Sequence, residues 1–283
     1  TSEATALKQL KQKISSAKKP FVEVNNCKDQ DDHFDRFLKQ KDYDVDGAYS
    51  KLKRYYAWLA SGEVENLLKA DLSAQIKTKK VLLMGNDLEG RPIMLIRAKN
   101  HLPGEFEREQ TIQLVLSVCL AMTVHMSKDV SQVLIICDMK GFGLKNKDQG
   151  ILKDVSAVVA KYFPQRVYKI LVINSPFIVS TLWYAIKPLV PTKYKQMINF
   201  LAKPKELQKY VSKKELVTEF GGKLLLDEDE WVENTLKAIT KREEKMTHLY
   251  HFCRLFKGEE VPEVEINKLA GASEVTAEFH DSA

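Results

Sequence analysis

KILVINSPFIVSTLWYAIKPLVP, residues Lys169–Pro191, joins an apolar run to a helix that is too apolar to lie in water. The run Ile170–Ile173 is typical of a strand buried on both faces. Asn174-Ser175-Pro176 predicts a helix start, with an N-cap candidate followed by proline. Apolar side chains then recur at helical spacing, at Val179, Leu182, Trp183, Ile186 and Leu189, with Phe177, Ile178 and Val190 in addition. Because each gains roughly 1.5–3 kcal/mol on leaving water, this helix must face a core, a partner, a membrane or an apolar ligand.

The regions on both sides of this stretch predict an α/β fold. Val81–Met84 and Ile93–Ile96 flank a turn-rich link and indicate a β-hairpin. Strands and helices then alternate, which favours a sheet that is partly parallel. The predicted elements are helices at Phe106–Met126 and Gly150–Phe163 and strands at Val133–Cys137 and Val167–Ile173. Shorter elements follow: a strand at Asn199–Ala202, helices at Glu206–Val211 and Lys213–Val217, and a longer helix from Asp229 to about Lys245.

The N-terminal part has a different pattern. Residues 1–70 show only helical periodicity, with the third helix, Asp44–Ala60, presenting one broad apolar face. We therefore predict three regions: a helical N-terminal segment over residues 1–75, an α/β domain over 76–245, and a C-terminal extension over 246–283, whose end is polar.

Composition narrows the class of protein. The chain has 283 residues with a formal net charge of +6, a mild basic excess that predicts no particular partner and no nucleic acid. Its four cysteines form no CxxC pair, which favours reduced thiols in the cytoplasm. The first residues are too polar for a signal peptide. The longest apolar stretch, Thr111–Met126, falls short of the ~20 residues of a membrane span and indicates a buried helix.

No motif predicts catalysis, a metal or a cofactor. The chain has no GxSxG, no GxGxxG and no Walker lysine motif. Ser175 before Pro176 is interpreted as an N-cap rather than a nucleophile. Asp138-Met139-Lys140-Gly141 could lie at a catalytic strand end, but a structural turn is favoured. HLYHFC (248–253) lacks a fourth metal ligand, and histidines at a helix end are the preferred interpretation. We predict that the protein is not an enzyme.

Five segments, in order, resemble the CRAL-TRIO lipid-binding family: HFDRFLKQKDYDVDGAYSKLKRYYAWL (33–59), IICDMKGFG (135–143), KYFPQRVYKILVINSPF (161–177), IKPLVP (186–191) and EFGGKL (219–224). The resemblance covers about residues 30–240. It implies a mixed sheet that floors an apolar cavity for one lipid, the only bound group expected. It also implies that the helix Phe177–Leu189 is a gate that opens at a membrane. The protein would then be cytoplasmic, with transient contact to anionic membranes through some of its short basic clusters.

The resemblance also implies site residues. For the cavity and gate they are Val133, Ile135, Val159, Phe177, Val179, Leu182, Trp183, Ile186, Leu189, Met197 and Ile198. Candidate headgroup contacts are Arg36, Lys39, Lys41 and Gln165. In the phosphatidylinositol/phosphatidylcholine transfer branch, polar or charged residues hold the headgroup at positions that correspond here to Asp42, Gln165, Met197, Val133, Ile135 and Val159.

These replacements remove charge-assisted hydrogen bonds to a phosphate and would leave a buried anion unpaired. We therefore expect a more apolar ligand, such as a sterol, tocopherol, retinoid or fatty acid. Two alternatives stay open at this point. One is a phosphatidylinositol/phosphatidylcholine transfer protein with a rearranged headgroup site. The other is a lipid-sensing or protein-interaction module of the same fold.

Overall fold

The computed structural model describes residues 2–16, 30–59, 61, 63, 66, 70–127, 129–189, 192–225 and 227–239. These residues form two compact units, one N-terminal to Asp71 and one over Asp71–Ile239. The domain boundaries expected at 75/76 and 245/246 stay predictions.

The described part of the N-terminal unit includes the helices α1 (Glu3–Ser15), α2 (Gln30–Gln40) and α3 (Val45–Leu59). Ser2 caps α1 by accepting a hydrogen bond from the amide of Thr5. Aromatic side chains of α2 and α3 meet in its core, where the rings of Phe37 and Tyr55 lie 5.5 Å apart. These predicted helices are confirmed, and Tyr55, Tyr56 and Trp58 of α3 are core residues.

The second unit is built on a five-stranded sheet with the order β1-β2-β3-β4-β5. The strands are β1 (Val81–Asn86), β2 (Pro92–Arg97), β3 (Val133–Asp138), β4 (Val167–Ile173) and β5 (Ile198–Phe200). The β1–β2 pair is antiparallel, and the other three pairs are parallel. The predicted mixed α/β sheet is therefore confirmed.

Helices precede, connect or follow the strands: α4 (Ser73–Lys77) before β1, α5 (Arg108–His125), α6 (Gln149–Tyr162), α7 (Phe177–Ile186) and α8 (Thr192–Lys195) between strands, and α9 (residues 228–239) after β5. A capping box between Glu107 and Gln110 begins α5, and Asp148 caps α6. Because β2 to β5 run in parallel, their last residues meet at one edge of the sheet, which we call the carboxyl edge. The β1–β2 turn lies at the opposite edge, the hairpin edge.

Two local predictions are wrong. Lys213–Val217 is not a helix: residues 213–215 form a turn, and Val217 bridges to Leu224. The amide of Lys223 donates to the carbonyl of Lys213. In an α-helix this carbonyl would instead accept from the amide four residues further along. The chain at Gly222 passes close to the backbone of Leu216. This position requires glycine, because a Cβ there would lie 1.7 Å from the carbonyl oxygen of Leu216.

Neither Asn174 nor Ser175 caps α7. The N-cap residue is Pro176, and no side chain accepts a hydrogen bond there. Asn174 has a φ of 51° and donates its side-chain amide to Asp138 instead. Smaller differences concern β5, which begins one residue earlier than expected, and the last predicted helix, which is described as far as residue 239.

Candidate functional site

The two faces of the sheet differ in how completely they are covered. Side chains alternate between the faces along each strand, and the strand register assigns every position to a face. On one face the apolar side chains are 0% exposed: Leu82, Ile93, Leu95, Leu134, Ile136, Leu171 and Ile173. We call this the closed face, and it has the packing of an ordinary core.

The other face is equally apolar but incompletely covered. Register aligns Ile96 with Cys137 and Cys137 with Val172 across the three central strands. Half-buried members of this face are Leu83, Ile96, Ile135, Cys137, Ile170 and Ile198. Half-buried apolar side chains in the middle of a sheet indicate a space that the described residues do not fill. We call this surface the open face.

Helix α7 lies on the open face. Val179 is buried against Met139 and Val172, and partly buried apolar side chains surround these three: Ala98, Cys137, Phe142, Ile170, Ile178 and Ile198. Further along α7, the Trp183 ring lies 5.7 Å from that of Phe200. Two aromatic side chains of α7 do not join this contact, because Phe177 is 87% exposed and Tyr184 is 75% exposed. The helix therefore presents one apolar face to the sheet and two bare rings to its surroundings.

The thiol of Cys137 is on the open face and is half-buried. Desolvation by burial raises the pKa of Cys137 to about 12. Burial likewise raises the pKa of Cys119, on α5, to about 12. Both thiols are therefore protonated at neutral pH and are not activated as nucleophiles.

A separate cavity of about 380 Å³ lies at the hairpin edge. Strands β1 and β2, helix α5 and helix α9 line it, with Asn86 and Asn234 as its polar groups. Its volume is at the lower end of the range for small-molecule pockets. None of the residues predicted from the sequence lines this cavity, although Leu83 of the open face does.

Four of the eight predicted cavity residues with described side chains are at or near the open face. Ile135 is on it, Val179 and Ile198 belong to the cluster under α7, and Trp183 contacts Phe200. Val133 is buried at the start of β3, Val159 is half-buried on α6, and Met197 is half-buried just before β5. Phe177 is exposed. The side chains of Leu182, Ile186 and Leu189 lie outside the described part of the structure. The cavity and gate roles of all these residues stay predictions.

Several open-face residues were missed by sequence reasoning. They are Leu83, Ile96, Cys137, Met139, Ile170 and Val172. Period-two alternation along β3 and β4 could have grouped them, since 135, 137 and 139 share a face with 170 and 172. The sequence held no signal for which face would be left open, because both are apolar.

Two of the four candidate headgroup residues, Arg36 and Lys39, form ion pairs with carboxylates. Gln165 has a φ of 57° and precedes β4 at the hairpin edge. The length of strand β4, about 20 Å, separates Gln165 from the start of α7. In the N-terminal unit, buried Arg36 pairs with Asp32 at 2.8 Å and Lys39 pairs with Asp35 at 2.6 Å. Lys41 is exposed. Their role as headgroup contacts stays a prediction.

Asp138 has a structural role. It is 3% exposed and accepts hydrogen bonds from the amide of Lys140 at 3.0 Å and from Asn174 Nδ2 at 2.8 Å. Gly141 follows with a φ of 74°, which confirms the interpretation of this segment as a turn that needs glycine. The described residues contain no cluster that could hold a metal ion, and HLYHFC lies outside them. No helix in the described part of the chain is long and apolar enough to span a bilayer.

Comparison with known proteins gives a consistent result. The profile of the CRAL/TRIO domain matches residues 76–222. A CRAL-TRIO domain-containing protein of Schizosaccharomyces pombe is 25% identical over 211 residues, which is 71% of this chain and 48% of that protein. A phosphatidylinositol transfer protein of Eremothecium gossypii is 21% identical, over 74% of this chain and 51% of that protein. The human alpha-tocopherol transfer protein-like protein is 26% identical, over 56% of this chain and 48% of that protein.

The chain thus spans about half the length of these curated relatives. Among solved structures, that of Sfh5 has a similar fold. Its TM-score is 0.61 at 14% identity, and the match covers 86% of this chain and 97% of that one.

Proposed function

Because the chain belongs to the CRAL/TRIO domain family, whose domains bind lipids and are generally carriers rather than enzymes, we propose that it holds one lipid against the open face and carries it between membranes. The observation that carries this proposal is the half-buried apolar surface of Ile96, Ile135, Cys137 and Ile170 on the open face. Only part of this surface, Cys137 and Ile170, packs against the cluster under α7. An acyl chain or an apolar ring system would cover these side chains. Cysteines without a pairing pattern fit a reducing compartment, so we place the carrier in the cytoplasm.

Helix α7 would act as the gate. Its contacts with the sheet are apolar, through Ile178, Val179 and Trp183. Lifting it in water would expose both the helix and the open face, which is unfavourable at about 25 cal/mol per Å². A bilayer removes this cost because it solvates apolar side chains. The exposed rings of Phe177 and Tyr184 are the first groups of α7 that a bilayer would meet.

The start of α7 favours such a movement. Pro176 is its N-cap residue and offers no side-chain hydrogen bond, so no cap has to break when the helix turns outward. The side chains on the open face are apolar, and no titratable group there has to change protonation. The opening would therefore be governed by apolar contact with the membrane.

The ligand we propose is less polar than a phosphoinositide. Val133, Ile135 and Met197 offer no hydrogen-bond donor to a phosphate through their side chains. Arg36 and Lys39 are already paired with carboxylates. A sterol, tocopherol, retinoid or fatty acid needs no charged partner inside the cavity.

Mass spectrometry of lipid extracted from the purified full chain tests the ligand. We expect one apolar lipid per protein and little phosphatidylinositol. Stoichiometric phosphatidylinositol would contradict the ligand class but leave the carrier function intact. A chain that neither carries nor takes up any lipid would instead favour the protein-interaction alternative.

Crosslinking tests the gate. In the variant Trp183→Cys/Phe200→Cys, a short bismaleimide would join α7 to the end of β5, where the native rings are in contact. We expect transfer of a fluorescent lipid between vesicles to fall to background while the lipid stays bound. Each variant with only one of the two added cysteines, treated with the same reagent, is the control and should keep transferring. Undiminished transfer by the crosslinked protein would reject the gate.

A further inference from the structure

Two segments at the carboxyl edge are joined into one surface. Residues 99–108 follow β2, and residues 140–154 follow β3. Asn146 Nδ2 donates to the carbonyls of Lys99 at 2.9 Å and of His101 at 3.0 Å. His101 Nε2 lies 3.2 Å from Asp148 Oδ2, and Arg108 pairs with Asp154. These contacts fix the two segments relative to each other.

The joined surface exposes three leucines. Leu102 is 42% exposed, Leu144 is 72% exposed and Leu152 is 56% exposed. Leu102 follows His101, Leu144 lies two residues before Asn146, and the amide of Leu152 donates to the carbonyl of Asp148. Each leucine is therefore next to a contact that joins the segments. Single exposed leucines are common, but several on one surface indicate a site of contact with a partner or a membrane.

The same two segments carry exposed lysines. Lys99, Lys145, Lys147 and Lys153 are exposed, and none has an ion-pair partner among the described residues. The acids of the two segments are Glu105, Glu107, Asp148 and Asp154. Two of them are engaged within the surface, Asp148 with His101 and Asp154 with Arg108. Outside these two contacts, the net charge of the remaining side chains of the two segments is positive, and this charge is complementary to an anionic surface.

We propose that this surface, residues 99–108 and 140–154, docks the protein on an anionic bilayer. Leu102, Leu144 and Leu152 enter the interface while the lysines contact lipid headgroups. The proposal rests on the proposed carrier function. It identifies the surface that contacts the membrane before α7 opens. Helix α7 begins at the same edge, after β4, so docking brings Phe177 against the bilayer. Phe142 connects the docking surface to α7. It packs against the cluster under α7, and it lies two residues before Leu144 in the sequence.

A vesicle sedimentation experiment with the full chain tests the docking surface. Vesicles consist of phosphatidylcholine alone or of phosphatidylcholine with phosphatidylserine. For Leu144→Ser/Leu152→Ser we expect binding to the anionic vesicles to fall about tenfold. For Lys145→Gln/Lys147→Gln we expect a loss of at least about fivefold, confined to the anionic vesicles and reduced by salt.

Matched control variants come from the hairpin edge. Leu88 is 58% exposed in the β1–β2 turn, and its amide donates to the carbonyl of Tyr210. Lys213 and Lys214, three and four residues after Tyr210, are also exposed. Leu88→Ser and Lys213→Gln/Lys214→Gln should bind vesicles like the wild type. Circular dichroism and lipid occupancy in the absence of vesicles show whether each variant is folded and loaded.

The outcomes separate the docking surface from the carrier function. Variants that keep their lipid but lose vesicle binding, with unaffected controls, support the docking surface. Equal binding by the docking variants and the controls overturns it. A surface that serves a protein partner would also leave vesicle binding at the wild-type level, and so overturns it too. If the wild type contains no lipid yet docks on vesicles as described, the carrier function fails and the docking surface stands.

Discussion

Asn174 connects two strand ends through one side chain. Its backbone has a φ of 51°, a left-handed conformation that asparagine tolerates and alanine disfavours. Its amide donates to Asp138, a carboxylate that is 3% exposed. The residue therefore contributes in two ways, through its backbone and through a hydrogen bond to a buried charge.

We expect Asn174→Ala to lower the free energy of unfolding by about 2.5–5 kcal/mol. The left-handed backbone accounts for about 1–2 kcal/mol, and the lost hydrogen bond to a buried charge for about 1.5–3 kcal/mol. Asn174→Gly removes the bond but accepts the conformation, so it should be intermediate. Urea unfolding measures both. Equal stability of the alanine and glycine variants would show that the backbone contributes nothing.

Asp148 predicts an acid dependence of stability. Its carboxylate accepts a hydrogen bond from the amide of Ile151, and this bond, together with the contact with His101, holds the pKa of Asp148 below its ordinary value. The group thus stabilises the fold above about pH 4, and the contribution is lost as the pH falls through the depressed pKa. Asp148→Ala should cost about 1 kcal/mol at pH 7, and the difference from the wild type should shrink towards pH 2. Asp148→Asn keeps a cap acceptor and should show less of this pH dependence.

Strand β3 separates the two faces within two neighbouring residues. Ile135 is half-buried on the open face, and Ile136 is 0% exposed on the closed face. We expect Ile135→Trp to fill space meant for a ligand, so lipid occupancy falls while stability changes by less than about 1 kcal/mol. Ile136→Trp should overpack the core and destabilise by about 1–3 kcal/mol or more. Lipid extraction and urea unfolding of both variants check this pair, and equal destabilisation would mean that the open face is closed.

The same two residues show what the sequence could predict. Both are isoleucines in a continuous apolar run, so the strand was located correctly but its faces could not be told apart. The failures at Asn174 and Lys213–Val217 share a cause, because both depend on partners far along the chain, Asp138 and Lys223. Short-range patterns predicted the elements well. Contacts between distant segments decided the details.

At the scale of the molecule, the α/β unit contains every group of the open face, α7 and the docking surface. We expect a fragment of residues 71–245 to fold and to bind lipid at the occupancy of the full chain. Circular dichroism and mass spectrometry of extracted lipid measure this. A fragment that folds but stays empty would assign part of the lipid site to the removed residues, 1–70 or 246–283.

The candidate site was predictable mainly through the family resemblance, which directed attention to α7 and to Ile135, Val179 and Ile198. The docking surface was not predictable in this way, because hydrogen bonds between residues about 45 positions apart assemble it. In the sequence its leucines resemble isolated exposed residues, and Asn146 brings their segments together.

Without a lipid, the apolar core over the open face is incomplete. If a lipid supplies the missing half of that core, it binds the native state and not the unfolded chain, and mass action raises the melting temperature with lipid supply. In a cell the unloaded chains would unfold more often and be degraded first. We therefore expect the steady-state amount of this protein to follow the amount of its lipid, which pulse-chase labelling of lipid-starved and lipid-fed cells would show as a change in half-life.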